Sequence, residues 1–575
     1  MKRPSYGDAI ALAALGFLCF LWRLGAPGLF DFNEGLYVEA AREMVLRSDY
    51  ITGRVNGVPF YDKPPLALWL VALSFKALGQ SEMAARLPVA LSALIAVFGA
   101  YWFGLQGWNR RTGLLAAVFC ASSPIFVGTA RQMTMDIHQS ATVTLAMICM
   151  FLGMRADEAK KSRAAAVWWM GFWAMCGAGF MAKSFPGLLP IPIAVVVLAV
   201  RSRLAPLPTL RAWWSARPVH GMLALAAVVA PWHLAAYHKD GSYFVYEYWT
   251  LHHVALFKGT QFDHVQPFWY YGPALLGGFY PWSILTPLGL RRYDASAADR
   301  TVQILMWTWA LVTVGIFSLM TSKLVSYLLP MYPAIAIITA AGVDRALSKA
   351  QGAKKARAVP LLPLSISLIA VLQLVAIAAL WQYVTPRLHE IRDPEALPLL
   401  APNLVRYLWR AVGLLACGST FAAFLAWRRP DRGVTALVLT FLGFLMLSWE
   451  QGLPAYDQAV NLPLRKAVRK ADALSGSGSP LVVFIGRPRR PSVFFYLDDR
   501  RLIRSASAGR PNDPIMLETI DQEPLRRYVS EHGRTVILAD RQRGKDALGS
   551  IAPYEEAYRS GRWSVLVTEP GASKP

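Results

Sequence analysis

Charged side chains are scarce in this chain: Asp, Glu, Lys and Arg make up 17% of its 575 residues, whereas 55% are hydrophobic. So few charges exclude an ordinary string of soluble domains, in which about a quarter of the residues are charged. The 20 Trp and 27 Phe residues add more apolar surface than one soluble core can bury. The composition therefore predicts a polytopic membrane protein.

Cysteine is also rare, and several familiar motifs are missing. All five cysteines lie inside apolar stretches and none belongs to a C-x-x-C pair, which argues against a disulfide framework and a cysteine metal site. No glycine-rich phosphate loop precedes a helix, so a nucleotide-sugar donor is disfavoured. No nucleic-acid motif accompanies the net charge of +23, and we expect no nucleic-acid partner.

Apolar stretches long enough to cross about 30 Å of hydrocarbon recur along the chain and predict about thirteen transmembrane helices. They lie near 8–24, 84–107, 112–130, 137–154, 164–182, 185–200, 218–237, 267–290, 301–320, 324–343, 358–381, 403–427 and 433–450. We therefore assign residues 1–450 to a transmembrane domain whose first outer loop covers about 25–83.

Lys and Arg concentrate in every second connection between these spans, as at 155–163, 201–217 and 345–357. The positive-inside bias then places the N-terminus in the cytoplasm of a bacterial inner membrane. An odd number of spans puts residues 451–575 in the periplasm.

Residues 451–575 change in composition and predict a small α/β domain. Short β-type runs alternate there with helix-like pieces. The β-type runs are 479–486, 500–506, 534–540 and 562–569, and the helix-like pieces are 461–474 and 524–532.

The first outer loop carries DFNEGLYVEAAREM (31–44) and FYDKPPLALW (60–69). Apolar residues recurring every four positions predict an interfacial helix over 34–47 with its charges on the other faces. Pro64 and Pro65 predict the start of a second juxtamembrane helix. Ionisable groups at membrane depth are costly, so their crowding between two helices predicts a functional site. The candidates are Asp31, Glu34, Tyr37, Asp62 and Lys63.

Polar residues also interrupt the chain at three later outer ends, within 131–139, 182–187 and 321–333. We expect the cations of these segments to converge with Lys63 on one face, where Lys and Arg can bind the phosphate of a lipid carrier. The additional candidates are Arg131, Asp136, Lys183, Lys323 and Tyr327.

These motifs carry a resemblance to a known family. The acidic pair followed by a tyrosine in the first loop, the KPP turn at 63–65, the KSFPG turn at 183–187 and SKLVSYLLPMYP at 322–333 are similar to those of the aminoarabinose transferase branch of the integral-membrane glycosyltransferases, relatives of the protein O-mannosyltransferases. The resemblance covers the whole chain and implies an α-helical GT-C fold with a C-terminal periplasmic domain. It implies transfer of a sugar from a polyprenyl-phosphate donor to an acceptor at the periplasmic face, a lipid A phosphate in the nearest branch.

One position departs from the family pattern, because its usual Asp-Glu pair is Asn33-Glu34 here. An amide cannot act as a base. Either Asp31 or Glu34 has taken the role, or no base is needed, or the chain is an inactivated variant. A phosphate acceptor is already anionic, whereas a hydroxyl must lose a proton, so the change favours an acid-bearing acceptor.

We therefore expect inverting displacement at the anomeric carbon. The resemblance makes Lys63 and Lys183 the phosphate contacts, helped by Arg131 or Lys323, while Glu34 and Asp136 orient the acceptor or the sugar. Tyr37 and Tyr327 are expected to hold sugar or phosphate oxygens. The co-substrates are a sugar on undecaprenyl phosphate and lipid A, with no firmly bound cofactor; the oligomeric state stays open, a monomer included.

The segment 243–269 is aromatic and contains His252, His253 and His264. We interpret it as a lid over the lipid-carrier site; a plain interfacial loop and a divalent metal site are the alternatives, the last with no standard ligand spacing. For the whole chain, the alternatives are a protein O-mannosyltransferase-like enzyme acting on a peptide hydroxyl and a flippase of lipid-linked sugars.

Overall fold

The computed structural model describes residues 2–254, 265–290, 300–352, 360–379, 382, 402–475, 481–484, 490–498, 517–519 and 521–568. Within these ranges, nine helices are long and apolar enough to cross a membrane. They are Glu82–Gly107, Met135–Glu158, Ser162–Lys183, Pro218–His253, Arg300–Leu319, Val325–Ala350, Leu361–Ala379, Pro402–Arg428 and Pro430–Ala459. The chain is a multi-pass membrane protein, as predicted.

The other four predicted spans form shorter or broken helices. Tyr6–Leu21 and Phe185–Arg201 are apolar but short. The stretch 112–130 divides into Arg110–Ser122 and Pro124–Thr129. Ser123 is extended there because the following proline disfavours a helical conformation. The stretch 267–290 likewise breaks into short helical segments, which are Phe268–Tyr270, Tyr271–Gly278, Trp282–Leu285 and Thr286–Gly289.

The first outer loop contains the two predicted helices, which the structure places at Asn33–Arg47 and Leu66–Leu78. Between them a small hairpin pairs β1 (Arg54–Val55) with β2 (Val58–Pro59). The helix Asn33–Arg47 differs from the expectation in one respect, because its charged residues Glu39 and Arg42 are buried with the apolar ones. The C-terminal segment Ser492–Phe495 packs on it and covers the side that was expected to face water.

The C-terminal region forms a five-stranded mixed sheet in the order β4-β3-β5-β7-β6. The strands are β3 (Leu481–Phe484), β4 (Leu517–Thr519), β5 (Val536–Asp540), β6 (Tyr554–Ser560) and β7 (Trp563–Thr568). β3 is parallel to β4 and β5, and β7 is antiparallel to β5 and β6. Three of the four predicted β runs are present; the fourth, 500–506, lies outside the described residues.

Alternation along the central strands fixes which helix covers each face of this sheet. Val483 and Leu538 pack in one cluster with the helix Asn461–Ser475. Val482 and Ile537 pack in another, against Gln522–His532 and Arg541–Gly549. The membrane helix Pro430–Ala459 extends past residue 450 and is followed by the helix Asn461–Ser475, which packs on the sheet. The boundary at 450/451 stays a prediction.

Candidate active site

The first loop builds one half of the candidate site around Asp62. The Tyr37 hydroxyl donates a hydrogen bond to Asp62 Oδ2 at 2.6 Å, and Lys63 Nζ lies 2.6 Å from Asp62 Oδ1. Tyr37 comes from the helix Asn33–Arg47, and Asp62 and Lys63 from the turn before Leu66–Leu78. The two loop helices therefore bring the predicted tyrosine, acid and lysine into direct contact.

Two membrane helices supply the other half. Lys183 is the last residue of Ser162–Lys183 and donates to Asp136, in the first turn of Met135–Glu158. The same ammonium lies 4.4 Å from the ring centre of Tyr327. Because these antiparallel helices end at the same level, the ion pair forms at one end of the bundle.

The turn after Lys183 folds back tightly, which explains the KSFPG pattern. A Cβ on Gly187 would lie 2.0 Å from the carbonyl oxygen of Gly179, so only glycine fits where the turn meets the helix. Gln139, one turn beyond Asp136, donates to the Pro186 carbonyl at 2.6 Å. The turn and the start of the neighbouring helix are thus fastened together around the Lys183–Asp136 pair.

The two halves adjoin each other. Lys183 lies within electrostatic range of Lys63 and Asp62. Tyr37 lies within the same range of Asp136 and Tyr327. We call the six side chains the two-lysine cluster: Tyr37, Asp62, Lys63, Asp136, Lys183 and Tyr327.

The cluster fixes the protonation of its loop residues. Burial alone would raise the pKa of Asp62, but Lys63 and His252 outweigh it and hold that pKa well below its ordinary value. Burial, reinforced by the neighbouring Asp62, raises the pKa of the Tyr37 hydroxyl well above its ordinary value. Asp62 therefore stays a carboxylate, and Tyr37 stays a hydrogen-bond donor at neutral pH.

His252 joins this half of the site, a contact that none of the three predictions for its segment, a lid, a plain loop or a metal site, included. Its Nδ1 lies 3.0 Å from Asp62 Oδ1, and its Nε2 lies 3.7 Å from Glu247 Oε2. The segment around it is helical over Val245–Val254 and continues the membrane helix. His264 and residues 255–263 lie outside the described residues. Over the described ranges, no group of three or more His, Cys, Asp or Glu side chains is arranged to hold a metal ion.

Glu34 sits apart from this cluster in a buried junction. Its two oxygens accept Arg86 Nε and Nη2, both at 2.7 Å. They also accept the backbone N–H groups of Phe30 at 2.7 Å and Met133 at 3.0 Å. Four donors use the roughly four acceptor positions of a carboxylate, so Glu34 has no lone pair left for a proton or a substrate.

Asp31 and Asn33 face other surroundings. Asp31 Oδ1 accepts the backbone N–H of Ser492 at 2.9 Å, and Oδ2 accepts the Ser492 hydroxyl. Burial raises the pKa of Asp31 to about 6, although the Ser492 hydrogen bonds oppose the change. Asn33 is exposed at the start of its helix. The structure thus puts Asp31 at the contact with the C-terminal unit.

Two predicted phosphate ligands are held by backbone carbonyls. Arg131 donates to the carbonyl oxygens of Cys19 and Trp22 and stacks on Trp449, with its guanidinium carbon 4.0 Å from that ring. Lys323 donates to the carbonyl oxygens of Gln266, at 2.9 Å, and Met320. In the part of the chain that the structure describes, neither Arg131 nor Lys323 has a hydrogen bond or ion pair with a side chain of the two-lysine cluster.

The structure also reveals a clamp that sequence reasoning missed. Asp240 accepts hydrogen bonds from the hydroxyls of Tyr61 and of Thr52, the latter at 2.8 Å. Trp232, on the same membrane helix, donates to the Ile51 carbonyl at 3.0 Å. Because Tyr61 directly precedes Asp62, this clamp fixes where the first loop presents the Asp62–Lys63 turn. The sequence signal that could have found this contact was the pair Trp232 and Asp240, in and just after the apolar stretch 218–237.

Comparison with known proteins agrees with this architecture. Residues 62–235, which include Lys63, Asp136 and Lys183, match the family model described as dolichyl-phosphate-mannose-protein mannosyltransferase. The structure aligns over 100% of both chains, with a TM-score of 0.77 and 18% identity, with crystalline ArnT from Cupriavidus metallidurans bound to undecaprenyl phosphate. The chain has the fold of an aminoarabinose transferase. The predicted fold class, an α-helical polytopic membrane protein with a small C-terminal α/β domain, is confirmed.

Sequence relatives point the same way. The chain is 30% identical over 332 residues to the undecaprenyl phosphate-alpha-4-amino-4-deoxy-L-arabinose arabinosyl transferase of Pectobacterium carotovorum, covering 57% of each chain. It is 27% identical over 440 residues to the protein of the same name from Pseudomonas aeruginosa, covering 75% of this chain and 73% of that one. The chain spans a little over half the length of the first of these relatives. The resemblance to the aminoarabinose transferase branch, drawn from the loop motifs, is confirmed at the level of sequence and fold similarity.

Proposed function

We propose that this protein transfers a sugar, an aminoarabinose or a close analogue, from undecaprenyl phosphate to a phosphate of lipid A. The observation that carries the proposal is the two-lysine cluster, in which Lys63 and Lys183 lie within electrostatic range of each other at one end of the bundle, beside two tyrosines. The names of the sequence relatives and the undecaprenyl phosphate bound to the similar fold support the same chemistry.

The proposed reaction is an inverting displacement. An oxygen of the acceptor phosphate forms a bond to the anomeric carbon, while the bond from that carbon to the carrier phosphate oxygen breaks. The electron pair leaves with the carrier, which becomes undecaprenyl phosphate. No proton has to be removed from an acceptor that is already anionic.

Lys63 and Lys183 are suited to hold the departing phosphate. Each ammonium has three donors. Lys183 gives one to Asp136, and Lys63 gives one to the Asp62 carboxylate and one to the Asp62 backbone carbonyl at 3.1 Å, so each keeps at least one donor for a phosphate oxygen. The Lys63 side chain is 23% exposed, which leaves it open to a ligand. Cations that face a leaving phosphate where water is excluded stabilise the transition state by about 3 kcal/mol.

The change from Asp to Asn at position 33 supports a phosphate acceptor. Glu34 is saturated by Arg86 and backbone donors, so it cannot replace the missing base directly. We assign Glu34 a positioning role, because its contact with the Met133 N–H fixes the chain three residues before Asp136. Asp136 then is the carboxylate that orients the sugar or the acceptor.

The proposed orientation follows from the basic connections. Alternate loops rich in Lys and Arg put the N-terminus in the cytoplasm and the two-lysine cluster at the periplasmic face of a bacterial inner membrane. The C-terminal unit contacts the first loop through Ser492 and Arg42, which places it at the same face as the cluster.

The proposal is tested in membranes of cells that make undecaprenyl-linked aminoarabinose. We expect wild-type protein to add a pentosamine-sized mass to a lipid A phosphate, and Lys63→Met to abolish the addition. Lys76→Met is the matched control, because Lys76 is exposed on the adjoining helix and lies over the ring of Tyr50. Unchanged lipid A together with a glycosylated secreted protein would favour the O-mannosyltransferase-like alternative. Lipid-linked sugar that crosses the membrane without transfer would favour a flippase.

A further inference from the structure

Tyr271 is a buried side chain whose hydroxyl has no hydrogen-bond partner in the part of the chain that the structure describes. The residue is 2% exposed and begins the short helix Tyr271–Gly278. A buried hydroxyl without a partner costs about 1–3 kcal/mol, and phenylalanine would fill the same space without that cost. The hydroxyl therefore needs a partner that the described residues do not provide.

The position of Tyr271 shows where that partner would lie. Its helix packs against the segment Val325–Met331, which carries Tyr327 of the two-lysine cluster. The Tyr271 side chain is within electrostatic range of Tyr327 and Asp136. A tyrosine hydroxyl is protonated at neutral pH, so it can donate to such a partner.

Asp136 supplies the complementary acceptor. Lys183 donates to its Oδ1, and Oδ2 has no partner among the residues that the structure describes. A group between Tyr271 and Asp136 must therefore accept from the phenol and donate to the carboxylate. A phosphate oxygen only accepts and is repelled by Asp136, and a protonated amine only donates. A hydroxyl does both.

We propose that Tyr271 and Asp136 together recognise one hydroxyl group of the donor sugar, separately from the lysines that bind the carrier phosphate. This inference rests on the proposed function, because it names the part of the donor that the site reads. A site that is built to bond a hydroxyl discriminates strongly against a sugar that lacks it, since the protein groups are then left unpaired.

The test compares Tyr271→Phe with wild-type protein, in detergent, on the undecaprenyl-phosphate-linked sugar and on analogues that each lack one hydroxyl. Tyr332→Phe is the matched control: its hydroxyl is also buried without a described partner, but it lies against Gly278, at the opposite end of the helix Tyr271–Gly278. We expect wild-type kcat/KM to fall about tenfold or more on one deoxy donor. Tyr271→Phe should lose part of that factor on the complete donor and nothing more on that deoxy donor, because the hydrogen bond between Tyr271 and the sugar is already absent there.

Three outcomes would overturn the inference. Tyr271→Phe could match Tyr332→Phe on every donor, which removes any role in recognition. It could instead slow all donors by one common factor, which is what a purely structural role produces. If wild-type protein transfers sugar from none of the donors, the proposed function fails and this inference fails with it.

Discussion

Glu34 and Arg86 form a two-point ion pair in which the side chains are 1% and 0% exposed. Arg86 uses its remaining donors on the carbonyl oxygens of Leu24, Pro27 and Gly28. Arg86 thus links the chain that follows the first helix to the start of the first loop and, through Glu34, to the backbone at Met133, three residues before Asp136. The pair occupies the motif position at which a catalytic acid was expected, and it organises the chain around that position.

Breaking the Glu34–Arg86 pair should lower the free energy of unfolding of the protein. Glu34→Ala leaves the Arg86 charge buried, and removing one partner of a buried ion pair destabilises by about 3–5 kcal/mol. We expect a large fall in the Tm of purified protein, whereas Glu158→Ala, which breaks exposed pairs with Arg155 and Arg201, changes it little. A Glu34→Ala protein with unchanged Tm and no transfer would instead make Glu34 catalytic.

The Lys183–Asp136 pair should behave as one unit in catalysis. Lys183→Met and Asp136→Asn are each expected to lower the rate of transfer about 100-fold, because each removes a group aimed at reacting charge. The double variant should be far better than the product of the two losses, since both changes disrupt the same arrangement. Single-turnover transfer measures these rates.

Lys161→Met is the control for the lysine change, because Lys161 lies at the opposite end of the same membrane helix. Two independent losses that multiply would contradict the idea that the pair acts together.

Asp31 predicts a pH dependence of stability. Its pKa is about 6 in the folded protein, above its ordinary value of 3.8, so the folded state holds this proton more tightly than the unfolded state does. Stability should therefore decrease as the pH rises from about 4 to about 6 and should not change further above that range. The Tm of Asp31→Asn, followed over the same pH range, should lack this decrease. Parallel pH profiles for the two proteins would show that the contact with Ser492 does not depend on this charge.

Arg42 should hold the C-terminal unit on the first loop. Its guanidinium donates to the carbonyl oxygens of Phe494 at 3.0 Å and Leu497 at 2.9 Å, and it is almost completely buried. Arg42→Met removes both links, and we expect a loss of about 3 kcal/mol or more together with faster proteolysis within 460–500. Arg469→Met changes an exposed arginine of the C-terminal unit and should leave the digestion rate unchanged. Equal digestion rates for the two variants would contradict this role.

Patterns of hydrophobicity and charge predicted much of this architecture. The apolar runs indicated the long helices, because membrane length sets a strong requirement. They overcounted continuous spans at 112–130 and 267–290, where proline and glycine divide the helix. In the C-terminal unit, β6 was missed because YEEAYRS is a polar edge strand with no apolar alternation.

Some residues of the candidate site could be located from the sequence, and others could not. The KPP and KSFPG turns located Lys63 and Lys183, since a lysine beside a helix-breaking turn at membrane depth is unusual. Arg86 carried a similar signal, an arginine inside an apolar span, but no pattern linked it to Glu34, 52 positions away. Tyr271 carried none, because an unpartnered hydroxyl is a property of packing that a sequence does not display.

The hydrogen bond from the Gly28 N–H to Asp457 joins residues 429 positions apart. During synthesis, the first loop enters its compartment long before the segment that covers it has been translated. The charged residues of this loop that the C-terminal part covers stay hydrated until that part of the chain has been synthesised. A chain that ends before residue 457 therefore lacks the carboxylate that accepts the Gly28 N–H, and the start of its first loop is left without this partner.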